Sequence, residues 1–239
     1  MRIFADGADL EGLRAVAADP LISGFTTNPT LMRKAGIADY EAFAREALRI
    51  VGDRPISFEV FADEFDEMRD QALEIASWGR NVYVKIPITN TAGRSSSGLL
   101  ADLARERVAV NVTALLTLDQ VATAAAALAA APRGIISVFA GRYADTGRDP
   151  VSMMTEAASI VHAHEGLELL WASPREILNV VHAEQAGCDI ITVSNDLLAK
   201  LPLLGKDLAQ YSLETVLMFH DDAARAGYRI RVRERSRGG

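Results

Sequence analysis

Asn81-Val82-Tyr83-Val84-Lys85-Ile86-Pro87 reads as an apolar strand with one lysine set into it. Alternation with a period of two puts Val82, Val84 and Ile86 on one face and Tyr83, Lys85 and Pro87 on the other. An amine inside such a strand costs free energy unless it is paired or loses its proton. Burial disfavours the charged form, and a neutral amine attacks carbonyl carbon. Two readings follow: a Schiff-base lysine, or a lysine at a strand end whose amine reaches water along its aliphatic stem.

Outward from this stretch, β-rich segments at 2–6, 24–27, 56–61, 82–86, 108–113, 135–140, 168–172 and 189–193 alternate with segments of helical period. Thr30, Asp63 and Thr117 are expected to precede helices, Thr117 with Gln120 at its capping-box position, and Pro150 to open another. The alanine-rich run 121–131 has high helix propensity and stops at Pro132 and Gly134. Eight such units are what a closed (β/α)8 TIM barrel requires, at about 250 residues. An open doubly wound sheet would show a glycine-rich phosphate turn after its first strand, and Asp6-Gly7-Ala8-Asp9 lacks one. No Pro/Gly/Ser-rich linker divides the chain. The expectation is an α/β, single-domain barrel over residues 1–230 with an extra C-terminal helix within 203–227, then a basic tail at 231–239. A Ser/Gly-rich patch, 89–98, follows the lysine strand where an active-site loop would lie.

Composition narrows the function. A net charge of -7 without a sustained basic face argues against a nucleic-acid partner, although a local arginine cluster can still hold a phosphate. One cysteine, Cys188, excludes an intrachain disulfide framework and a thiol-rich metal site, and fits a reducing cytoplasm. The start, Met1-Arg2-Ile3-Phe4-Ala5-Asp6, meets an acid too early for a signal peptide, and no apolar run is long enough to span a bilayer.

Strand parity then separates wall from pocket, because one face of each barrel strand packs under helices and the other faces the centre. In 108–113, Val108, Val110 and Val112 oppose Ala109, Asn111 and Thr113; in 56–61, Ile56, Phe58 and Val60 oppose Ser57, Glu59 and Phe61. Phe4 and Asp6 oppose Ile3 and Ala5 in the first strand. Asp6, Glu59, Lys85, Asn111 and Thr113 are therefore expected inside, the first three late in their strands, at the end where such barrels keep their chemistry. A purely structural Lys-Asp-Glu network stays open; it would lower the acids' pKa values and keep the lysine charged. Farther on, Ser137-Val138-Phe139-Ala140-Gly141-Arg142 and Trp171-Ala172-Ser173-Pro174-Arg175-Glu176 each end a strand with a hydroxyl and an arginine. Arg142 and Arg175 offer planar forks for phosphate oxygens and Ser173 a neutral donor; the alternative is a surface arginine paired with Asp145 or Glu176.

These stretches, with Thr26-Thr27-Asn28-Pro29-Thr30, Phe58-Glu59-Val60, Val84-Lys85-Ile86-Pro87 and Asn111-Val112-Thr113, resemble the transaldolases and the related fructose-6-phosphate aldolases over nearly the whole chain. The resemblance implies a class I enzyme of carbohydrate metabolism, with a place in the pentose phosphate pathway or a more specialised sugar pathway. By that analogy Lys85 forms an imine with a phosphorylated ketose donor and Asp6 transfers the proton as the carbon bond breaks. Glu59 with Thr113 positions a water. Asn28 and Asn111 bind donor hydroxyls, Ser137 and Phe139 shape the pocket, and Arg142, Ser173 and Arg175 hold the phosphate. The imine is the electron sink, so no metal or organic cofactor is required. In the aldolase branch the Glu59 position is typically glutamine and a tyrosine near strand six assists proton transfer; Glu59, Thr113 and Phe139 look like transaldolase. The expected partners are the ketose donor and an aldose acceptor, with no nucleic acid and no membrane; an apolar stripe, Leu213, Val216, Leu217 and Phe219, fits either a homo-oligomer contact or a helix that packs on the barrel. An aldolase-type lyase remains the enzyme alternative, and a silent barrel that binds a phosphorylated metabolite the non-enzyme one. Trp171, Pro174 and the 93–97 loop have no counterpart in this comparison and are candidates to alter the acceptor pocket.

Overall fold

The computed structural model describes residues 1–230, so the tail expected at 231–239 lies outside the described residues. Its strands are β1 (Arg2–Asp6), β2 (Ile22–Thr26), β3 (Ile56–Glu59), β4 (Val82–Pro87), β5 (Val110–Leu115), β6 (Gly134–Val138), β7 (Leu167–Trp171) and β8 (Ile190–Ser194). Each pairs in parallel with its sequence neighbours and β8 returns to β1, closing the barrel that the alternation implied. Between them run α1 (Leu10–Ala17), α2 (Pro29–Lys34), α3 (Tyr40–Val51), α4 (Phe65–Ser77), α5 (Ser97–Arg105), α6 (Leu118–Ala127), α7 (Ala140–Ala144), α8 (Pro150–Val161) and α9 (Leu178–Gln185); α10 (Asn195–Leu198) follows β8. These elements make up one compact unit, Met1–Ala199. A second unit starts at Lys200 and contains a short 3-10 turn, Leu201–Leu203, and α11 (Leu208–Ala226), capped by Asp207 at its start and by Gly227 in the left-handed region at its end.

Parity is obeyed on both faces. Val82, Val84, Ile86, Val110, Val112, Ile56 and Phe58 join the large cluster between strands and helices, whereas Phe4, Tyr83, Ala109, Ile135, Leu170 and Ile190 form a separate plug. Two residues farther along five of the plug strands stand Asp6, Lys85, Asn111, Ser137 and Thr192. The plug thus supplies a dry floor, and polar chemistry begins one inward step above it. Gly24 belongs to this arrangement: a Cβ there would meet the Phe4 ring at 2.5 Å.

Some local expectations are corrected. Asn28, not Thr30, caps α2, because Pro29 pre-sets the first helical turn and the Asn28 side chain accepts from Leu31 N at 2.9 Å. Glu64 rather than Asp63 precedes α4, and Asp63 instead accepts from the Thr91 amide and hydroxyl at 2.8 and 2.7 Å. The capping box of Thr117 and Gln120 forms as expected. Phe61 does not face inward. β3 ends at Glu59, the Gln71 side chain accepts from the amides of Phe61 and Ala62, and Phe61 is 53% exposed.

Candidate active site

A cavity of about 560 Å³ opens at the C-terminal ends of the strands, and every residue expected in the site except Asn111 lines it. Lys85 sits on its floor with a side chain only 9% exposed. Its Nζ donates to the Thr27 carbonyl at 2.8 Å and lies 3.5 Å from Glu59 Oε2, so the amine is held inside the barrel mouth by two oxygens. Asp6, at the end of β1, accepts from Thr26 Oγ1 at 2.7 Å and from Asn28 Nδ2 at 3.3 Å.

Both acids hold their protons more tightly than ordinary carboxylates. For Asp6 burial is the largest cause, opposed by the Lys85 charge and by the bonds from Thr26 and Asn28. For Glu59 burial again leads, opposed by Lys85 and reinforced by the Asp6 charge. A purely structural ion-pair network was expected to lower these values, and desolvation reverses that sign. Two raised carboxyls beside one amine make a site suited to moving protons.

Asn111 is fully buried below the cavity surface. Its Nδ2 donates to Ser57 Oγ at 3.0 Å and its Oδ1 accepts from Ser137 Oγ at 2.7 Å, a chain that joins three inward strands. Thr113 lines the cavity with a buried hydroxyl that has no partner among the described residues. A bulge follows it: β5 runs three residues from Val112 to Leu115 while β6 runs two, from Ile136 to Val138, and Ala114 takes a φ of 66°. Leu115 then returns to the wall, fully buried.

The opposite rim carries the arginines. Phe139 precedes α7, and the Arg142 guanidinium lies 5.1 Å from the centre of its ring. Arg175 is held by Asp145, with Nε 3.0 Å from Oδ1, and this pairing keeps the Asp145 carboxyl below the usual range; Nη1 of Arg175 makes no hydrogen bond among the described residues. Ser173 stands at a φ of 63°, in the left-handed region that non-glycine residues rarely adopt. What draws these two loops together is Gly141: a Cβ on it would lie 1.6 Å from the Ser173 carbonyl oxygen. Gly141→Ala must therefore push the β6 and β7 loops apart. We expect it to cost about 1–3 kcal/mol of stability, as thermal melting will measure.

Sequence reasoning passed over Thr26 and Thr192, whose hydroxyls bond each other above the plug while Thr26 also donates to Asp6. Their inward parity on β2 and β8 was the available signal. Pro174 lines the cavity, whereas Trp171 is fully buried with the wall cluster and the 93–97 loop takes no part in the lining. Among the described residues no group of three or more His, Cys, Asp or Glu gathers in a metal-holding arrangement, and no helix is long and apolar enough to cross a membrane.

Several known proteins resemble this chain over most of its length. A probable transaldolase of Dehalococcoides mccartyi is 34% identical over 88% of this chain and 96% of its own length. One from Roseiflexus castenholzii is 39% identical over 80% of this chain and 85% of its own. One from Methanococcus maripaludis is 34% identical over 88% and 95%. A solved structure of a mandelate oxidase variant superposes with a TM-score of 0.53 at 16% identity, over 80% of this chain and 64% of that one, a likeness of fold alone. The family model described as Transaldolase/Fructose-6-phosphate aldolase matches residues 3–230, and the chain belongs to that family.

Proposed function

We propose that the protein is a transaldolase that moves a dihydroxyacetone unit from a phosphorylated ketose to an aldose through an imine on Lys85. The observation that carries this is the Lys85 amine, buried between the Thr27 carbonyl and the Glu59 carboxyl on the floor of a cavity whose rim holds Arg142 and Arg175. Glu59, with its raised proton affinity, takes the proton that Nζ must shed before attack on the donor carbonyl. Nζ adds to C2, the carbinolamine oxygen leaves as water, and the imine forms with Glu59 and Thr113 serving the water. Asp6 then accepts the C4 hydroxyl proton as the C3–C4 bond breaks, and the electron pair moves into the imine to give an enamine. Departure of the aldose phosphate leaves the three-carbon unit bound. The enamine attacks the carbonyl carbon of the incoming aldose, Asp6 returns the proton to the new hydroxyl, and water releases the ketose product.

Ser137 and Phe139 shape the donor pocket in this scheme and Asn28 and Asn111 serve its hydroxyls, Asn111 by holding Ser137 in place. Arg142, Ser173 and the free Nη1 edge of Arg175 take the phosphate. The compartment we propose is the cytoplasm, in keeping with a single buried cysteine. A homo-oligomer is supported by Leu213, Val216, Leu217 and Phe219 of α11, each more than half exposed.

Borohydride trapping with fructose 6-phosphate tests the function: a three-carbon adduct on Lys85 is expected, and an unmodified Lys85 under turnover conditions counts against it. Phe139 favours transfer over release, because an apolar ring there offers no proton to the enamine. Phe139→Tyr should therefore raise the release of free dihydroxyacetone in the absence of acceptor relative to transfer onto erythrose 4-phosphate, read by assaying both products side by side.

A further inference from the structure

The β2–β3 ladder breaks where the site begins. Phe25 N donates to the Pro55 carbonyl at 2.8 Å and Thr27 N to the Ser57 carbonyl at 3.2 Å. The next rung of a parallel ladder would run from the Glu59 amide to the Thr27 carbonyl. It does not form; that carbonyl accepts from Lys85 Nζ at 2.8 Å. The Glu59 amide donates at 2.8 Å to the hydroxyl of Tyr40, and the same hydroxyl donates to the Glu59 carbonyl at 3.1 Å. One side chain from the first position of α3 thus stands in for the missing strand on both peptide groups of Glu59.

We propose that Tyr40 is a positioning residue for the imine chemistry: by taking both peptide groups of Glu59 it releases the Thr27 carbonyl for Lys85 and fixes the Glu59 carboxyl beside the amine. This rests on the role given above to Glu59. The ring is locked for the task, 6.1 Å from Phe58 in an edge-on contact, 5.7 Å from Trp78 and 4.6 Å from Phe61 between centroids. Burial pushes the phenol well above its ordinary range, so the oxygen keeps the proton it donates to the Glu59 carbonyl. Without the hydroxyl, the Glu59 amide is left to compete with Lys85 for the Thr27 carbonyl.

The test uses the full-length enzyme with Tyr40→Phe, Glu59→Gln and the double substitution, assayed for transfer from fructose 6-phosphate to erythrose 4-phosphate and for the rate of borohydride trapping. Y40F, folded by circular dichroism and melting, should lose roughly tenfold in kcat and in trapping rate with KM for the donor changed by less than about twofold. In the E59Q background the same substitution should cost less than in the parent, because the carboxyl that Tyr40 fixes is already gone and only its effect on the Thr27 carbonyl remains. An unchanged kcat and trapping rate in Y40F, or an equal loss in both backgrounds, overturns the proposal. Full activity of E59Q removes the role of Glu59 itself, and that of Tyr40 with it. Should Y40F fail to fold, a fluorinated tyrosine at position 40 keeps ring and oxygen while acidifying the hydroxyl. Activity should then fall at a high pH that the unmodified enzyme tolerates, and an unaltered pH profile overturns the proposal.

Discussion

Lys85→Arg should give a folded protein with no measurable transfer and no borohydride adduct. The guanidinium keeps the positive charge beside Glu59 and has donors for the Thr27 carbonyl, so the electrostatics that hold β2, β3 and β4 together survive. What disappears is a nitrogen able to shed a proton and bond to carbon, since guanidinium does not deprotonate in proteins. Charge and nucleophilicity are thereby separated at one position. An ion-pair role for Lys85 predicts that Arg serves nearly as well as Lys; a covalent role predicts total loss. Mass spectrometry of the trapped protein reads the covalent step directly, and melting of the variant certifies the fold.

Asp6→Asn should slow transfer by roughly 10²–10⁴-fold, the range for loss of a positioned proton carrier, while imine formation proceeds through Glu59. The donor then accumulates before its carbon bond breaks. Trapping should shift from the three-carbon adduct to one that carries the whole six-carbon donor, a mass difference that no general loss of structure imitates. The same variant should be more stable than the parent at neutral pH. Because the folded-state pKa of Asp6 is raised, the parent's folded form binds that proton more tightly than the unfolded chain does. The stability linked to it is complete below the ordinary aspartate range and is lost as pH rises through the raised value. Asn carries no charge to desolvate, so the advantage of D6N should shrink as pH falls and the parent's carboxyl protonates. A more stable and less active variant at one residue is the signature of a group held against its own solvation for catalysis.

The Arg175–Asp145 pair belongs to the same account of opposed demands. Read as a sequence, Arg175 had two partners in prospect, a phosphate or a nearby acid, and the structure gives it the acid, with one edge of its fork making no hydrogen bond among the described residues. The pairing aims the guanidinium, and in the proposed function a phosphate meets that edge.

How far the site was legible depends on which physical constraint fixed each residue. Asp6, Glu59, Lys85, Asn111 and Thr113 were readable because strand geometry forces alternate side chains to opposite faces, and the aliphatic rows at Val82, Val84 and Ile86 or Val108, Val110 and Val112 say which face is the wall. The same rule overran at Phe61, where the Gln71 side chain captures two amides ten and nine residues before it and turns the chain away. Alternation has no means of registering such a capture. Asn28 was legible as a polar site residue, yet its capping bond to Leu31 and its donation to Asp6 depend on where Pro29 starts the helix.

The eightfold alternation, the identity of the inward polar residues and the family resemblance were all present in the order of the amino acids, because each rests on periodicity or on motif and needs no knowledge of what lies across the barrel. The rest belongs to the tertiary structure: the Ala114 bulge that returns Leu115 to the wall, the contact at Gly141 that brings Ser173 to the arginines, the desolvation that raises both carboxyls, and the Tyr40 hydroxyl that replaces a strand. Each of these arises between segments distant in the chain, where closure of the sheet decides which atoms meet and how much water is left between them.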